Sequence, residues 1–231
     1  DTPTPIQIKS IPIILEQKDI LASAQTGTGK TAAFCIPMIE MIATKKINRA
    51  ILVPTRELAK QVNDVIEKLL FQQSVIKSVC LVGGEPMNKQ LRRLKTKPQI
   101  VVGTPGRVND HLKRKSLLLN KVDLLILDEM DRMLDMGFAR DLNKIISYMP
   151  AKRQNLMFSA TFSKEIKKLA EGILRNPVSV EAEPQNSTAK KVTHKVFKVD
   201  KNKKTEFTIK LIKDGNWNQV LVFTRTKHGA N

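Results

Sequence analysis

Ala24-Gln25-Thr26-Gly27-Thr28-Gly29-Lys30-Thr31, entered from the apolar run Ile20-Leu21-Ala22, decides the fold. The pattern predicts a strand over Ile20–Ala24, a glycine-rich turn, and a helix over Thr31–Ile42, which is the context a phosphate-binding loop requires. Gly27 and Gly29 permit positive φ, so backbone N–H groups can close on phosphate oxygens. The helix N-terminus adds partial positive charge at the same place. All eight residues from Ala24 to Thr31 are therefore expected nucleotide contacts, with Lys30 on the β- and γ-phosphates and the Thr31 hydroxyl on Mg²⁺. The pattern asks for Gly at its first position, and Ala24 is a small departure.

Val122-Asp123-Leu124-Leu125-Ile126-Leu127 is a second short apolar run, and it ends in Asp128-Glu129-Met130-Asp131. Open parallel sheets bind ligands at the carboxyl ends of their strands. Asp128 is expected to hold Mg²⁺, and Glu129 to orient and deprotonate an attacking water. Alone, such a pair often just caps a helix; with the phosphate loop it predicts ATP hydrolysis, with Lys30, Asp128 and Glu129 as catalytic residues.

Further strands are expected at Ala50–Val53, Ser78–Val82, Ile100–Gly103, Val122–Leu127 and Asn155–Ser159, with helical periodicity over Glu57–Leu70 and Lys164–Leu174. This alternation predicts an α/β fold, a parallel sheet flanked by helices. Residues 1–183 form the expected first domain. Residues 184–191, polar and lacking apolar periodicity, are an expected linker. From Val192 a strand–helix–strand series is expected, too short for a second α/β domain; with the abrupt start, it predicts a piece of a longer protein.

The chain has 231 residues, 40 Lys and Arg against 22 Asp and Glu, and a net charge of +18. That balance suits a polyanion, although charge alone does not separate RNA, DNA and acidic membrane. No apolar run approaches the ~20 residues of a membrane span, and the start has no signal-peptide layout. Cys35 and Cys80 lie in apolar patterns without metal spacing and are expected as reduced core residues. A cytoplasmic location is expected.

Three strand ends carry residues suited to a sugar–phosphate backbone. Thr104-Pro105-Gly106-Arg107 offers a Thr N-cap and Pro at the first helical position, a helix end that accepts a phosphate, with Arg107 adding charge. Pro54-Thr55-Arg56 repeats that arrangement, and Gly83-Gly84 permits close backbone approach. Each is commonplace singly; jointly they predict a track that positions a strand without reading bases.

Taken together, the ordered motifs resemble the DEAD-box RNA helicases. They are Thr4-Pro5-Ile6-Gln7, the loop at 24–31, Pro54-Thr55-Arg56-Glu57-Leu58-Ala59, Gly83-Gly84, Thr104–Arg107, Asp128–Asp131 and Ser159-Ala160-Thr161. The stretch Val220–Asn231 resembles the first motif of that family's second domain, and its wording is most similar to the bacterial RhlE-type subgroup. The resemblance implies a RecA-like first domain followed by an incomplete second one. It also implies ATP and Mg²⁺ as cofactors, RNA as partner, and ATP-driven local duplex unwinding. By the same resemblance Gln7 reads adenine, and Ser159 and Thr161 contact Asp131 to link nucleotide state to unwinding. The family has Ala where this chain has Met130, which puts turnover in question. Its arginine fingers come from a His-Arg-x-Gly-Arg-type motif absent before Asn231, so this chain is expected to bind nucleotide but hydrolyse it slowly. A nucleotide-dependent RNA clamp without catalysis and a DNA translocase are the alternatives. Trp217 and His194 are assigned no chemistry.

Overall fold

The computed structural model of the protein describes residues 2–25, 27–47, 49–53, 55–71, 75–181, 193 and 195–224. The chain divides into two compact units, Asp1–Ser187 and Thr188–Asn231.

In the first unit the strands are β1 Ile20–Ser23, β2 Ala50–Val53, β3 Ser78–Leu81, β4 Ile100–Gly103, β5 Leu124–Leu127, β6 Gln154–Ser159 and β7 Val178–Glu181. They form one sheet in the order β3-β4-β2-β5-β6-β1-β7, and every pairing is parallel. The helices are α1 Pro5–Leu15, α2 Lys30–Ala43, α3 Arg56–Leu69, α4 Met87–Leu94, α5 Pro105–Lys113, α6 Met130–Asp135, α7 Ala139–Ser147 and α8 Lys164–Ile173.

Alternate side chains of each strand feed two cores. Ile100, Val102, Leu124 and Ile126 pack on one side with Ile6, Ile14, Phe34 and Met38 from α1 and α2. Val101, Leu125 and Leu127 pack on the other with Val108, Met133, Leu142 and Ile166 from α5–α8. A sheet buried on both faces explains why its strands read as continuous apolar runs. Cys35 and Cys80 are free and buried, and burial pushes both thiols up, Cys80 to about 11.

Two differences from the sequence-based expectation stand out. A seventh strand, Val178-Ser179-Val180-Glu181, pairs with β1 at the sheet edge; its strict apolar–polar alternation is a period-2 signal, but one only four residues long. The buried carboxylate of Asp19 secures this corner, accepting hydrogen bonds from Asn155 N at 2.7 Å and Arg175 N at 2.8 Å. β5 begins at Leu124 rather than Val122, because Asp123 N donates to the Arg49 carbonyl ahead of the ladder.

The second unit has a 3₁₀ turn at Lys201–Lys203 and helix α9 Lys204–Asp214, with Phe197 and Phe207 in edge contact at 5.2 Å between centroids. Of the expected strand–helix–strand series only the helix occurs among the described residues; residues 195–200 and 217–224 are not in strands. The expected linker at 184–191 and residues 225–231 lie outside the described residues.

Candidate functional site

Because all strands run parallel, the connections that follow them emerge at one edge of the sheet. From one end of that edge to the other come Gly83-Gly84 after β3, Thr104–Arg107 after β4, Thr55-Arg56 after β2, Asp128-Glu129 after β5, Ser159-Ala160-Thr161 after β6, and the 24–29 loop after β1. Six motifs scattered along the chain thus fall into two groups, three on each side of the β2–β5 boundary.

The phosphate loop follows from its glycines. Gly27 and Gly29 take φ of +84° and +91°, a region that disfavours other residues. At Gly29 a Cβ would also meet Gln7 Nε2 at 2.7 Å and Thr4 Oγ1 at 2.9 Å, whereas Gly27 faces open space. Gln7 reaches this turn from α1: its Nε2 donates to the Gly29 carbonyl at 3.1 Å and its Oε1 accepts from Thr4 N at 3.0 Å. The residue expected to read adenine is therefore also a strut that fixes the loop, and its carboxamide keeps one N–H and one lone pair beyond these bonds. Lys30 is buried and its Nζ donates to the Ala24 carbonyl at 2.9 Å, across the mouth of the loop. Thr28 Oγ1 donates to the Gln25 carbonyl at 2.7 Å. Thr26 lies outside the described residues.

Asp128 and Glu129 arrive at the end of β5, both buried. Burial pushes the Asp128 carboxyl up to about 6, against the pull of the Lys30 ammonium, with Glu129 adding to the rise. Glu129 stands in the left-handed region at φ +53° and starts α6. Its Oε2 accepts from Arg132 Nη1 at 3.1 Å, so the carboxylate is held in one direction. Asp131 meets the end of β6 on three bonds: its N–H donates to Ser159 Oγ at 3.3 Å, and its Oδ2 accepts from Ala160 N at 3.1 Å and Thr161 Oγ1 at 3.4 Å. A cavity of about 470 Å³ is lined by Lys30, Glu129, Asp131 and Arg132 together with Leu58, Gln61 and Ala160. Lysine and glutamate, remote in sequence, face one space.

Thr31 and Asp128 offer a hydroxyl and a carboxylate, the hard oxygen donors Mg²⁺ prefers. Among the described residues no cluster of three or more His, Cys, Asp or Glu could hold a metal unaided. Mg²⁺ keeps waters and substrate oxygens around one or two protein ligands, so a hydroxyl and a carboxylate are a donor set that suits it.

The other three connections touch one another. The Arg56 guanidinium lies over Gly84, 2.7 Å from where a Cβ would be, and Gly84 has φ +83°. Arg107 Nη1 donates to the Glu85 carbonyl at 3.0 Å and to Gln90 Oε1 at 3.2 Å, and its side chain is 13% exposed. Arg107 thus ties the glycine turn to the start of α5 as well as adding charge there. Gly83 and Gly106 face open space, so their backbone is approachable, and the buried Thr55 Oγ1 has no partner. Pro54 lies outside the described residues.

A model of the DEAD/DEAH box helicases matches residues 4–169. The chain belongs to that family. Among curated relatives, the DEAD-box ATP-dependent RNA helicase RhpA of Helicobacter pylori is 41% identical over 231 residues, covering all of this chain and 47% of that protein. The ATP-dependent RNA helicase CshA of Listeria monocytogenes is 43% identical over 226 residues, covering 97% of this chain and 43% of that protein. The chain spans about half the length of the curated relatives it matches. A solved structure, a hypothetical ATP-dependent RNA helicase from Sulfolobus tokodaii, aligns with a TM-score of 0.72 at 33% identity, over 78% of this chain and 53% of that one. The RhlE-type likeness remains a resemblance, since these relatives carry other names.

Within this DEAD/DEAH box helicase domain, Met130, the first residue of α6, is fully buried in the core with Met133, Leu142 and Ile166. The longer side chain is therefore accommodated by packing, and nothing about it crowds the cavity. Sequence reasoning missed Gln61 and Arg132, which the helical spacings from Leu58 and Glu129 would have flagged. It also missed Gln90 and His111, polar residues on otherwise apolar helix faces.

Proposed function

We propose that this chain is the nucleotide-binding half of an ATP-dependent RNA helicase, binding ATP with Mg²⁺ on the β5-β6-β1 side of the sheet edge and single-stranded RNA backbone on the β3-β4-β2 side. The observation that carries this reading is the order of the connections along that edge, which sorts phosphate chemistry from backbone contacts without interleaving. In this reading residues 1–183 are the RecA-like ATP-binding domain and residues 192–231 the start of a second one. A cytoplasmic setting fits, and no helix among the described residues is long and apolar enough to cross a membrane.

The amides of residues 24–29 and the start of α2 hold the phosphates, with Lys30 on the β- and γ-groups. Thr31 and Asp128 hold Mg²⁺, which when bound neutralises charge developing on the transferred phosphoryl group. Glu129, aimed by Arg132, orients the attacking water and accepts its proton as the bond to the ADP oxygen breaks. Asp131, bonded to Ser159, Ala160 and Thr161, passes the state of the nucleotide to β6. RNA is preferred to DNA on the family's account, and the longer protein would close two domains over both ligands and release a partner strand locally.

The arginine fingers this chemistry uses contribute roughly 10³–10⁵ in rate, and the 231 residues contain no His-Arg-x-Gly-Arg-type motif. The chain alone is therefore expected to bind Mg–ATP yet turn over slowly. A fluorescent-nucleotide titration combined with an RNA-stimulated ATPase assay tests this. Binding abolished by Lys30→Ala, with weak turnover, is the expected result. Absence of Mg–ATP binding would overturn the reading, and turnover matching an intact helicase would overturn the need for the second half. Stimulation by DNA in place of RNA would favour a translocase.

A further inference from the structure

The six connections on the functional edge (24–29, 54–55, 82–86, 104, 128–129 and 160–163) contain no lysine or arginine and three carboxylates, Glu85, Asp128 and Glu129. The cations there enter only as helix residues, chiefly Lys30, Arg56 and Arg107. The positive charge behind the chain's net +18 therefore lies outside these connections, part of it in the second unit, where residues 188–231 have 11 lysines and arginines against 3 carboxylates. At the opposite edge, the described residues of the connections that lead into β2, β3, β4 and β5 (44–47, 49, 70–71, 75–77, 95–99 and 114–123) contain nine lysines and arginines and one carboxylate, Asp123. These four strands are neighbours in the sheet.

Hydrogen bonds join the four connections into one surface. Arg49 Nη1 donates to the Leu118 carbonyl at 3.0 Å, joining the first to the last. Lys77 N donates to Gln99 Oε1 at 2.9 Å, and Gln99 N returns a bond to the Lys77 carbonyl at 3.1 Å. Two hollows that share Leu94 and Ser116 join the remaining pair. One, of about 460 Å³, has Arg92 and Lys95 on its wall; the other, of about 140 Å³, has Arg49 and Lys97, and neither has an acidic lining residue. Among the described residues, the salt bridges Lys18–Glu16, Arg107–Asp110 and Arg132–Glu129 involve none of the cations that line these two hollows.

We infer that this rear edge is a second nucleic-acid-binding surface, one that takes an RNA sugar–phosphate backbone independently of sequence and of nucleotide. Four strand ends at 4.7–4.9 Å spacing span about 15 Å, enough for several successive phosphates rather than a single anion. Apart from Arg92 on the last turn of α4, the cations project from the connections and do not line one face of a long amphipathic helix, which is how a membrane surface would be met. Long exposed lysines around shallow hollows suit phosphates that need positioning and no base readout. The surface lies at the edge opposite the phosphate loop, so its occupant would not touch the nucleotide.

The test uses the whole chain carrying R92E, K95E and K97E together, beside wild type and the front-edge variant Arg56→Ala. Anisotropy of a fluorescein-labelled oligouridylate is followed across a salt series, with ATP and with ADP. The triple variant is expected to bind at least about tenfold more weakly at low salt, with the log–log salt slope shallower by ~2, as three lost phosphate contacts predict for a single strand. That loss should be equal with ATP and ADP, while Mg–ATP affinity and thermal midpoint stay at wild-type values. If the front-edge variant loses affinity and the triple variant keeps both affinity and slope, the inference fails and the front-edge reading survives. Capture by phosphatidylserine vesicles, lost in the triple variant while RNA binding persists, would also overturn it.

Discussion

Asp128 occupies a place that disfavours its own charge, as the proposed Mg²⁺ site would require of a buried carboxylate. Its carboxyl is raised from 3.8 to about 6, so between those values the folded chain holds a proton that the unfolded chain has lost. Stability from this group is thus greatest below pH 4, falls as pH rises through about 6, and stays low above it. Asp128→Asn keeps the acceptor for Glu129 N, which sits 3.0 Å from Oδ1. It should raise unfolding stability near pH 7 by about 3 kcal/mol and flatten the slope between pH 4 and 6, while abolishing Mg²⁺-dependent nucleotide binding. Urea titrations at several pH values would show it. A stabilised variant is the opposite of what ordinary damage to a buried polar residue gives, so an unchanged or lowered midpoint would refute the burial argument. Gly29→Ala should behave in the usual direction: positive φ and the 2.7 Å approach to Gln7 Nε2 together predict loss of Mg–ATP binding along with a lower thermal midpoint. Met130→Ala should remove packing alone, costing roughly 2–4 kcal/mol with nucleotide affinity intact. At this scale the sequence was most legible where chemistry demands a residue type at a fixed spacing, as in Lys30 and Asp128. Hydrogen bonds between remote side chains, such as Gln7 to Gly29, have no such signature.

Among the elements, α4 and α5 show what sequence periodicity leaves out. Gln90 is fully buried on α4, and its Nε2 donates to the Val82 carbonyl at 2.9 Å. That bond fixes Oε1 as the acceptor, which receives Arg107 Nη1 and, at 2.9 Å, His111 Nε2. His111 therefore carries its proton on Nε2, and burial together with Arg107 lowers its pKa. One carboxamide thereby sets the glycine turn after β3, the guanidinium at the start of α5, and the ring one turn along. Gln90→Met preserves volume but strands a carbonyl and two donors, a loss of about 1–3 kcal/mol. RNA affinity should fall several-fold while Mg–ATP affinity is unchanged, measured by anisotropy and nucleotide titration on the same preparation. Equal loss of both would reduce Gln90 to a general stabilising residue. The central strands were readable because a doubly covered parallel strand is apolar throughout. β7 was not, because an edge strand of four residues is defined by its partner. α1 carries Pro12 and α6 spans only Met130–Asp135, so their periods are weak, whereas α4 and α7 have clear amphipathic periods over only two to three turns.

For the molecule as a whole, the strand order does what no stretch of sequence announces: it lays the proposed nucleotide motifs and the proposed backbone-contact motifs side by side, with α3 lying across the division. Arg56 begins that helix against Gly84, while Leu58 and Gln61, on its next turn, line the cavity shared by Lys30 and Glu129. Two ligands bound on either side of β2 and β5 would therefore sense each other through one rigid helix. Lys30→Ala should lower Mg–ATP affinity about tenfold or more, as loss of a charged hydrogen bond implies, and leave RNA affinity without nucleotide unchanged. Arg56→Ala should do the reverse. Gln61→Ala should leave each affinity, measured alone, within about twofold, yet shrink the ratio of RNA affinities with and without ATP, because the coupling free energy is reciprocal and resides in groups both sites bias. Measuring the four affinities that close the cycle for each variant separates these outcomes. If Gln61→Ala leaves that ratio intact while lowering one affinity outright, α3 is a wall of the cavity and the link between the two ligands runs through Asp131 and the Ser159–Thr161 strand end instead.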